Sequence, residues 1–406
     1  MLPPPKHLLN GFRVLDMTHV LAGPSATRVL AEMGAEVIKV ELPGGDITRT
    51  LPVIKDGRSA YFLQQNRGKK SLCIDLKKDE GKAIIRELLE GSDVFIENFA
   101  PGVIGRLGFS WEEVQKINPE IIMCSMSAFG QSGELTALPG YDYIAMAYTG
   151  MMSMIGEADG APYFPMAGIG DVMTGMHAAA GIGFALLHRE RGGGGQYLDI
   201  SLIDAYMSCH ELNVELYSAT NGEVEPSRCG NHHYAVCPLG IFKARDHWIC
   251  IIALQPQWAG VCKAIGREDL IEDVRYDTND KRVGKSAEII DIIQGWLDSM
   301  PSDDAIVEAL REYRVPCALV LSIGEAIAQP HLTQRGTVRQ VHDTKFGELT
   351  LPGMPLKFSA FEHNQPMETA YVGEHNRHVL ADVLGYSEEK ITTLEDIHVL
   401  RSDPST

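Results

Sequence analysis

The chain has 406 residues and a formal net charge of −18, with 45% hydrophobic and 22% charged residues. This length is too great for one ordinary core, so a globular protein of this composition is expected to have two domains. The acidic balance argues against nucleic acid or an anionic membrane as the main partner, because both require clustered basic charge.

The sequence has no apolar run of 18 residues and no N-terminal secretory pattern, so we expect no membrane span and a cytoplasmic protein. Its eight cysteines are scattered, and none forms a Cys-x-x-Cys pair. In a chain of this length, such cysteines are typical of reduced, mostly buried thiols.

The first half of the chain alternates short apolar runs with helical patterns. In chain order we predict a strand over 12–17, a helix over 24–33, a strand over 37–41, a helix over 78–90, and strands over 94–98 and 121–127. Strands separated by helices indicate βαβ units, so we predict an α/β fold with a mostly parallel, Rossmann-like sheet.

The second half begins with a long helix made of small and apolar residues. The predicted elements are a helix over 171–189, a glycine-rich connection over 192–195, a strand over 197–201, a helix over 202–218, a linker over 221–238, a strand over 248–254, helices over 288–299 and 303–313, an irregular stretch from 329, and a last helix pair over 375–384 and 388–393. This order predicts a large domain, residues 1–225 and 331–406, and a smaller α/β domain, residues 226–330.

Asp171 lies where glycines run into this long helix, in the sequence Gly168-Ile-Gly-Asp-Val-Met-Thr-Gly175. One interpretation is a plain helix N-cap with Thr174 three residues further on. In the other, small neighbours let a bulky substrate approach, and the helix start keeps the carboxylate ionised as a nucleophile. The local pattern alone favours the N-cap.

Two nucleotide-binding motifs are missing. The first strand is followed by the single glycine Gly23, and Gly168-x-Gly170 is followed by Met173 where a dinucleotide fingerprint has its third glycine. The chain also lacks a Gly-x-x-x-x-Gly-Lys-Ser/Thr loop. Four metal-ligand residue types occur close together, but their spacing matches no standard zinc pattern, so we predict no metal site; they are Cys229, His232, His233 and Cys237.

Basic residues occur in loops that follow predicted strands. Arg67 and Lys69 lie in Asn66-Arg-Gly-Lys-Lys-Ser71, and Arg106 follows the strand over 94–98. Ligands of open α/β sheets bind outside the carboxyl ends of the strands, so the loops over 17–24, 66–71 and 98–106 can form one site. Such a site suits phosphates or carboxylates, although solvated turns explain these residues equally well.

Several segments together resemble the class III coenzyme A transferases, the family of formyl-CoA transferase and carnitine CoA-transferase. In chain order the matching segments are Leu15-Asp-Met-Thr-His-Val-Leu-Ala-Gly-Pro24, Gly34-Ala-Glu-Val-Ile-Lys-Val-Glu41, Asn66-Arg-Gly-Lys-Lys-Ser71, Asp75-Leu-Lys77, Glu97-Asn-Phe-Ala-Pro-Gly102, Gly108-Phe-Ser-Trp111, Phe129-Gly-Gln131, Gly168-Ile-Gly-Asp171, Gly230-Asn231 and Leu384-Gly-Tyr386. No one segment decides the match, but their order and spacing across nearly the whole chain are specific.

The resemblance implies that Asp171 attacks an acyl-CoA and carries anhydride and aspartyl-CoA thioester intermediates. CoA and substrate contacts carried over by motif, together with the basic loop residues, are Val20, Leu21, Ala22, Tyr61, Arg67, Lys69, Ile74, Lys77, Asn98, Phe99, Ala100, Arg106, Tyr141 and Asp142. Coenzyme A is then a substrate and product, and no permanently bound cofactor is expected. The partners are an acyl-CoA and an organic acid, and the family fold implies an interlocked homodimer or a pair with a paralogous subunit.

The sequence departs from formyl-CoA transferase at two contacts, where Leu21 replaces a glutamine and Leu42 a basic residue, and it lacks that enzyme's glycine-rich lid. A larger, more apolar acyl group such as a substituted succinate fits the nearby apolar residues Leu21, Met151, Met152 and Met154. The related α-methylacyl-CoA racemases have Gly-His-Asp where this chain has Gly140-Tyr-Asp142. Tyrosine is a poor base at neutral pH, so transfer is favoured over racemisation. A non-catalytic subunit of a paired transferase is a further alternative, disfavoured by the presence of Asp171.

Overall fold

The computed structural model describes residues 7–362 and 367–403 and contains two compact units. The first unit comprises Met1–Met151, Pro165–Glu211 and Pro330–Thr406, and the second comprises Met152–Phe164 and Leu212–Gln329. The domain limits predicted from the sequence differ from these units over 152–164 and 212–225 and at residue 330.

The strands and helices follow one another in the order expected of an α/β protein. The strands are β1 (Arg13–Met17), β2 (Glu36–Glu41), β3 (Ile54–Lys55), β4 (Arg58–Ser59), β5 (Lys69–Cys73), β6 (Val94–Glu97), β7 (Ile122–Ser127), β8 (Gln196–Ser201), β9 (Leu239–Lys243), β10 (Trp248–Ile252), β11 (Cys317–Leu319), β12 (Val338–Asp343) and β13 (Gly347–Pro352). The α-helices are α1 (Ala22–Glu32), α2 (Ala60–Asn66), α3 (Asp79–Glu90), α4 (Val103–Arg106), α5 (Trp111–Ile117), α6 (Asp142–Tyr148), α7 (Ile169–Glu190), α8 (Leu202–Met207), α9 (Asn213–Ala219), α10 (Trp258–Ala264), α11 (Asn279–Val283), α12 (Ser286–Ser299), α13 (Asp303–Glu312), α14 (Ile323–Ile327), α15 (Pro330–Gln334), α16 (Asn376–His378) and α17 (Glu388–Asp396).

The first unit is built on a six-stranded sheet in the order β5-β2-β1-β6-β7-β8, in which every neighbouring pair is parallel. This confirms the predicted α/β fold. The chain runs from β1 outward to β2 and β5, and then returns to the other side of β1 at β6. The direction of the sheet order therefore reverses between β1 and β6, and such a switch point opens a crevice at the carboxyl ends of the strands.

Helices cover both faces of this sheet. Consecutive residues of a strand point to opposite faces, so neighbouring residues of one strand enter different cores. Val14 of β1 packs in a core with residues of α1 and α7, whereas Leu15 packs in the other core with residues of α3 and α17. The second unit has its own core, formed by the antiparallel sheet β11-β10-β9 with α10, α12 and α13.

The long helix α7 begins at Ile169, two residues before the predicted start, so Asp171 is its third residue. The helix lies close to α1, since a Cβ added at Gly175 would stand 2.1 Å from the Ser25 hydroxyl. Within the described residues α7 is also the one helix whose length and composition would allow it to cross a membrane, a test that core helices pass too.

One predicted helix is wrong in its extent. The pattern over 202–218 forms two helices, because α8 ends at Met207 and α9 starts at Asn213. Between them His210 is buried, and its Nε2 pairs with the Thr149 carbonyl oxygen at 2.8 Å. This tertiary contact takes the chain out of the helical path that its sequence pattern predicts.

Segments of the described residues after 330 pack on the β5 side of the first unit. Asn376 accepts a hydrogen bond from the Cys73 backbone through its Oδ1, and Arg58 pairs with Asp343 of the β12–β13 hairpin. The stretch from 329, expected to be irregular, thus contains this hairpin, which closes where Asp343 pairs with Gly347, a residue with a φ of +74°.

Candidate active site

The loops after β1 and β6 are joined at the switch point of the sheet. The Asn98 side chain accepts a hydrogen bond from the His19 backbone N–H at 2.8 Å and donates one to the His19 carbonyl at 2.9 Å. The next residue, Val20, has a φ of +67°, which is a strained conformation for a β-branched side chain. Strain of this kind costs about 1–3 kcal/mol and concentrates at functional sites.

Helix α1 starts directly after this loop. The N–H groups of Ala22 and Gly23 find no acceptor in the part of the chain that the structure describes. Gly23 is required here, because a Cβ at this position would lie 2.3 Å from the Thr18 side chain. The free N–H groups and the positive end of the helix suit a negatively charged oxygen.

The first turn of α7 is capped from outside the helix. Asp142 Oδ2 accepts the Asp171 backbone N–H at 3.1 Å, and the Tyr206 hydroxyl accepts the Gly170 N–H at 3.2 Å while it donates to Asp142 Oδ1. Gly168 is the N-cap residue and offers no side chain. The N-cap interpretation of Asp171 is therefore wrong, because Asp142 and Tyr206 satisfy the helix end.

The Asp171 carboxylate consequently has no hydrogen-bond partner among the described residues. It lines a cavity of about 80 Å³ between the starts of α1 and α7, whose walls are formed by His19, Val20, Leu21, Ala22, Asn98, Met126, Ser127, Ala128, Gly140, Tyr141, Asp171, Thr174 and Leu202. Gly168 keeps the carboxylate open, because its missing Cβ would lie 3.5 Å from Asp171 Oδ2 and 2.5 Å from Leu21.

Burial, and then the neighbouring Asp142, raise the pKa of Asp171 to about 7. The sequence led us to expect an ionised carboxylate held by a helix cap. The structure corrects this, because the desolvation and the like charge outweigh the helix dipole. At neutral pH the carboxyl group is divided between its two forms, and its ionised form is more basic than an ordinary aspartate.

A charged network lies buried beside the cavity. Asp16 is fully buried and accepts hydrogen bonds from the hydroxyls of Thr18 and Thr27, and Lys69 lies 3.2 Å from it. Lys39 donates to the Thr18 carbonyl and pairs with Asp46 at 2.9 Å. These contacts fix the backbone of the loop that carries His19 and Val20.

A second cavity, of about 360 Å³, lies beyond the carboxyl ends of β1 and β2. Its walls are formed by Met17, Thr18, His19, Lys39, Val40, Glu41, Leu42, Gly45, Asp46, Ile47 and Phe99. His19 lines both cavities, and its ring packs against Phe99 at 5.4 Å between ring centres. Burial lowers the pKa of His19, so the neutral imidazole is favoured at neutral pH.

The model of "CoA-transferase family III" matches residues 9–376. The chain belongs to this family.

Its relatives are similar over nearly their whole length. Succinyl-CoA:glutarate CoA-transferase of Mus musculus is 35% identical over 392 residues, covering 95% of this chain and 88% of that protein. Formyl-CoA:oxalate CoA-transferase of Streptomyces coelicolor is 35% identical over 411 residues, covering 97% and 99%. The crystal structure of a CAIB/BAIF family protein from Brucella suis superposes with a TM-score of 0.81 at 30% identity, covering 93% of this chain and all of that one. The protein is thus an enzyme, a class III CoA-transferase.

In this CoA-transferase, the structure brings six of the sequence-predicted site residues to the smaller cavity: Val20, Leu21, Ala22, Asn98, Tyr141 and Asp171. Asp142 lies directly behind Asp171 through the backbone contact described above. Tyr61 on α2 is also near, since burial and then Asp171 and Asp46 raise the pKa of Tyr61 to about 12. Phe99 lies at the larger cavity.

Other predicted contacts are placed differently. Arg67 and Lys69 are buried, not in an open basic loop, because Arg67 pairs with Glu32 and Lys69 with Asp16. Ile74 is a fully buried core residue at the end of β5. Ala100, Lys77 and Arg106 are exposed at the carboxyl edge of the sheet, and the Arg106 guanidinium has no ion-pair partner within residues 7–362 and 367–403.

Three site residues were missed by the sequence analysis. His19 stands inside a matching motif and could have been found there, but Tyr206 and the role of Thr174 carry no local signal. Tyr206 reaches Asp142 across 64 positions of the chain, and Thr174 was considered only as the partner of an N-cap.

Proposed function

We propose that this transferase moves CoA from an acyl-CoA to a free carboxylic acid through covalent intermediates on Asp171. The observation that carries the proposal is the Asp171 carboxylate itself, which faces a cavity without a hydrogen-bond partner among the described residues. A half-buried, unpaired carboxylate with a pKa raised to about 7 is costly for stability and is typical of a reactive group.

The chemistry needs a carboxylate for a definite reason. An Asp171 oxygen attacks the thioester carbonyl carbon, and the carbon–sulfur bond breaks to give a mixed anhydride and CoA thiolate. The thiolate attacks the Asp171 Cγ and expels the free acid, which leaves an aspartyl-CoA thioester. The acceptor carboxylate attacks Cγ in turn, and the released thiolate then attacks the acceptor's acyl carbon and frees Asp171. Each step exchanges one activated acyl bond for another.

The start of α1 supports the first step of this scheme. Ala22 lines the cavity and Gly23 follows it, and their free N–H groups suit the thioester oxygen, which becomes negative during attack. Fixed donors aimed at such an oxygen are among the largest contributions to acyl-transfer catalysis. The strained Val20 backbone sets their direction.

The larger cavity supports the placement of the CoA chain. It adjoins the Asp171 cavity at His19, and it is lined by Leu42 and Phe99, both named as CoA-side positions from the sequence. Arg106 and Lys77, exposed at the same edge of the sheet, offer charge to the CoA phosphates.

For the acids exchanged, we propose a dicarboxylyl-CoA donor such as succinyl-CoA, and a dicarboxylate acceptor. The support comes from the relative named as a succinyl-CoA:glutarate CoA-transferase and from Leu21, an apolar side chain at the cavity wall. Oxalate, the acid in the name of the other relative, is the alternative that a substrate panel would reveal.

The test is the Asp171→Ala variant, assayed for CoA transfer from succinyl-CoA to a panel of dicarboxylates. We expect loss of transfer by a factor on the order of 10⁴ or more, while CoA binding stays near normal. Mass spectrometry of the wild-type enzyme treated with succinyl-CoA should find a CoA adduct on Asp171. Near-normal turnover of the variant would reject the proposal.

Racemisation is a second candidate, because His19 and Asp171 line one cavity and both can exchange protons. A chiral 2-methylacyl-CoA incubated with the enzyme in D₂O would then acquire deuterium at its α-carbon. CoA exchange to a free acid without deuterium incorporation would exclude this activity.

We also propose that the enzyme is a homodimer. The exposed apolar side chains of α7 support this, because Phe184 is 73% and Leu187 52% exposed, and a partner subunit would cover such apolar surface. Sedimentation in detergent-free buffer should give twice the mass of the chain. A monomer, or protein recovered only with detergent, would contradict this.

A further inference from the structure

Thr174 lies one helical turn after Asp171, on the same face of α7, and both residues line the smaller cavity. Its side chain is fully buried, and its hydroxyl oxygen has no hydrogen-bond partner among the described residues. A buried hydroxyl without a partner costs about 1–3 kcal/mol, so its presence calls for a reason.

Threonines in helices normally satisfy their hydroxyl by donating to a carbonyl of the preceding turn. Threonines within other helices of this chain or directly after them do so, since Thr27 donates to Gly23, Thr149 to Ala145, Thr220 to Leu216 and Thr393 to Glu389, at 3.2, 3.0, 2.7 and 2.8 Å. Thr174 makes no such bond. Its hydroxyl is therefore free for a group that enters the cavity.

The position of Thr174 on α7 indicates which group its hydroxyl would contact. Side chains on a helix lean toward its N-terminus, so the Thr174 hydroxyl leans toward the turn that carries Asp171. Asp171 and Thr174 both lie on α7, so the relative position of their side chains does not depend on where a substrate binds. Several oxygens become negative during CoA transfer. The Asp171 side-chain oxygens are the ones that α7 holds at a fixed position relative to Thr174.

We propose that the Thr174 hydroxyl donates a hydrogen bond to the Asp171 side-chain oxygen in the tetrahedral intermediates centred on Asp171 Cγ. This inference rests on the proposed function. When CoA thiolate attacks the anhydride, sulfur bonds to Cγ and the C=O electron pair moves to the aspartyl oxygen. Thr174 stabilises that charge until the C=O bond re-forms and the free acid leaves. The same bond forms when the acceptor carboxylate attacks the thioester.

Thr174 thus serves the steps at Cγ, while the α1 N–H groups serve the steps at the acyl carbon of the substrate. The two sets of hydrogen-bond donors therefore act on different steps of the transfer. Removal of the Thr174 hydroxyl should therefore slow formation of aspartyl-CoA without an equal effect on the first attack.

The experiment compares wild type with Thr174→Val and Thr174→Ser, using succinyl-CoA without an acceptor. Rapid quenching and intact-mass analysis follow the CoA adduct, and a thiol reagent follows free CoA. We expect Thr174→Val to form the adduct on the order of 100-fold more slowly, as for the loss of one oxyanion donor. Free CoA should accumulate in its place, because the anhydride persists and is hydrolysed. Thr174→Ser should retain most of the wild-type rate.

Thr149→Val is the matched control, because its hydroxyl donates to the Ala145 carbonyl in the last turn of α6 and Thr149 lies outside the cavity lining. The thermal unfolding temperature of Thr174→Val should be unchanged or higher than that of wild type, since a methyl group replaces an unpaired hydroxyl. If this variant does not fold, Thr174→Ala takes its place. Equal slowing of CoA release and adduct formation, or wild-type rates for both, would overturn the inference and leave the proposed function intact. A wild-type enzyme without an adduct on Asp171 from succinyl-, glutaryl-, formyl- or acetyl-CoA would overturn both.

Discussion

Two aspartates of the first unit, one fully buried and one half-buried, have opposite surroundings. Asp16, near the end of β1, is held by two threonine hydroxyls and by Lys69, whereas the Asp171 carboxylate has no partner among the described residues. Burial alone would raise the pKa of Asp16, but Lys69 and Lys39 outweigh it and lower the pKa. At Asp171 burial acts unopposed, and Asp142 adds to it.

The difference shows that burial by itself does not decide what a carboxylate does. Donors and cations make Asp16 a structural anion that anchors the loop after β1, while their absence leaves Asp171 basic and open to a substrate. The more deeply buried aspartate, Asp16, is thus the one whose pKa is lowered. The comparison can be tested by removing the partners of one aspartate and the charge of the other.

Lys39→Met should have the largest effect on stability. Lys39 is buried beside Asp46 and near Asp16, and its removal leaves Asp46 without its counter-ion and Asp16 with Lys69 alone. Breaking a buried pair in this way costs about 3–5 kcal/mol. Urea unfolding at pH 7 measures the cost, with the exposed Lys55→Met as a control. Since Asp46 has a pKa lowered to about 2, its contribution is present above about pH 4 and is lost in acid, so the gap between the proteins should narrow toward pH 2. A cost below about 1 kcal/mol at pH 7 would show that the network is not what holds Asp16.

Asp171→Asn should act in the opposite direction. The folded protein holds a proton on Asp171 up to about pH 7, whereas the unfolded chain loses it near pH 4, so wild-type stability falls as pH rises between these values. Asp171→Asn has no carboxyl group at this position to lose a proton, so the variant does not lose stability in this way. Its stability relative to wild type should increase by about 2–4 kcal/mol from pH 4 to pH 8 and stay constant above that. Equal pH dependence of the two proteins in urea unfolding would mean that the Asp171 pKa is ordinary.

The pH profile of catalysis should depend on Asp142. The kcat/KM for the acyl-CoA reports the ionisation of the free enzyme, so it should rise with pH through about 7 as Asp171 loses its proton. Asp142→Asn removes the second cause of the raised pKa and keeps an oxygen to accept the Asp171 N–H. The rise should then move to lower pH by about one unit. Tyr206→Phe keeps the Asp142 charge and should leave the rise in place; an unmoved rise in Asp142→Asn would assign the shift to burial alone.

The contrast between the two aspartates also shows which features of the fold and of the site could be predicted from the sequence. The order of strands and helices was predictable because the periodicity of β1, α3 and β7 is local. Asp171 was found through a motif. Its pKa was not predictable, because it depends on Asp142, 29 positions earlier in the chain, and on the burial that folding produces.

The same limit explains the basic loop. Arg67 and Lys69 have the sequence of a solvated turn, and only the contacts with Glu32 and Asp16, 35 and 53 positions away, place them in the core. The break after α8 also has a tertiary cause, at His210. Local patterns thus predicted elements, and the charges were assigned by partners that are distant in sequence.

Tyr206→Phe should have the smallest effect, and it separates stability from ionisation at Asp171. The Tyr206 hydroxyl accepts the Gly170 N–H and donates to Asp142, so its loss leaves one buried N–H and one carboxylate oxygen with fewer partners. The cost should be about 1–2 kcal/mol in urea unfolding. Because the charge of Asp142 remains, the pH dependence of stability should follow wild type, unlike that of Asp171→Asn. If Tyr206→Phe instead flattened this dependence, the hydroxyl, and not the charge of Asp142, would be the neighbour that sets the proton affinity of Asp171.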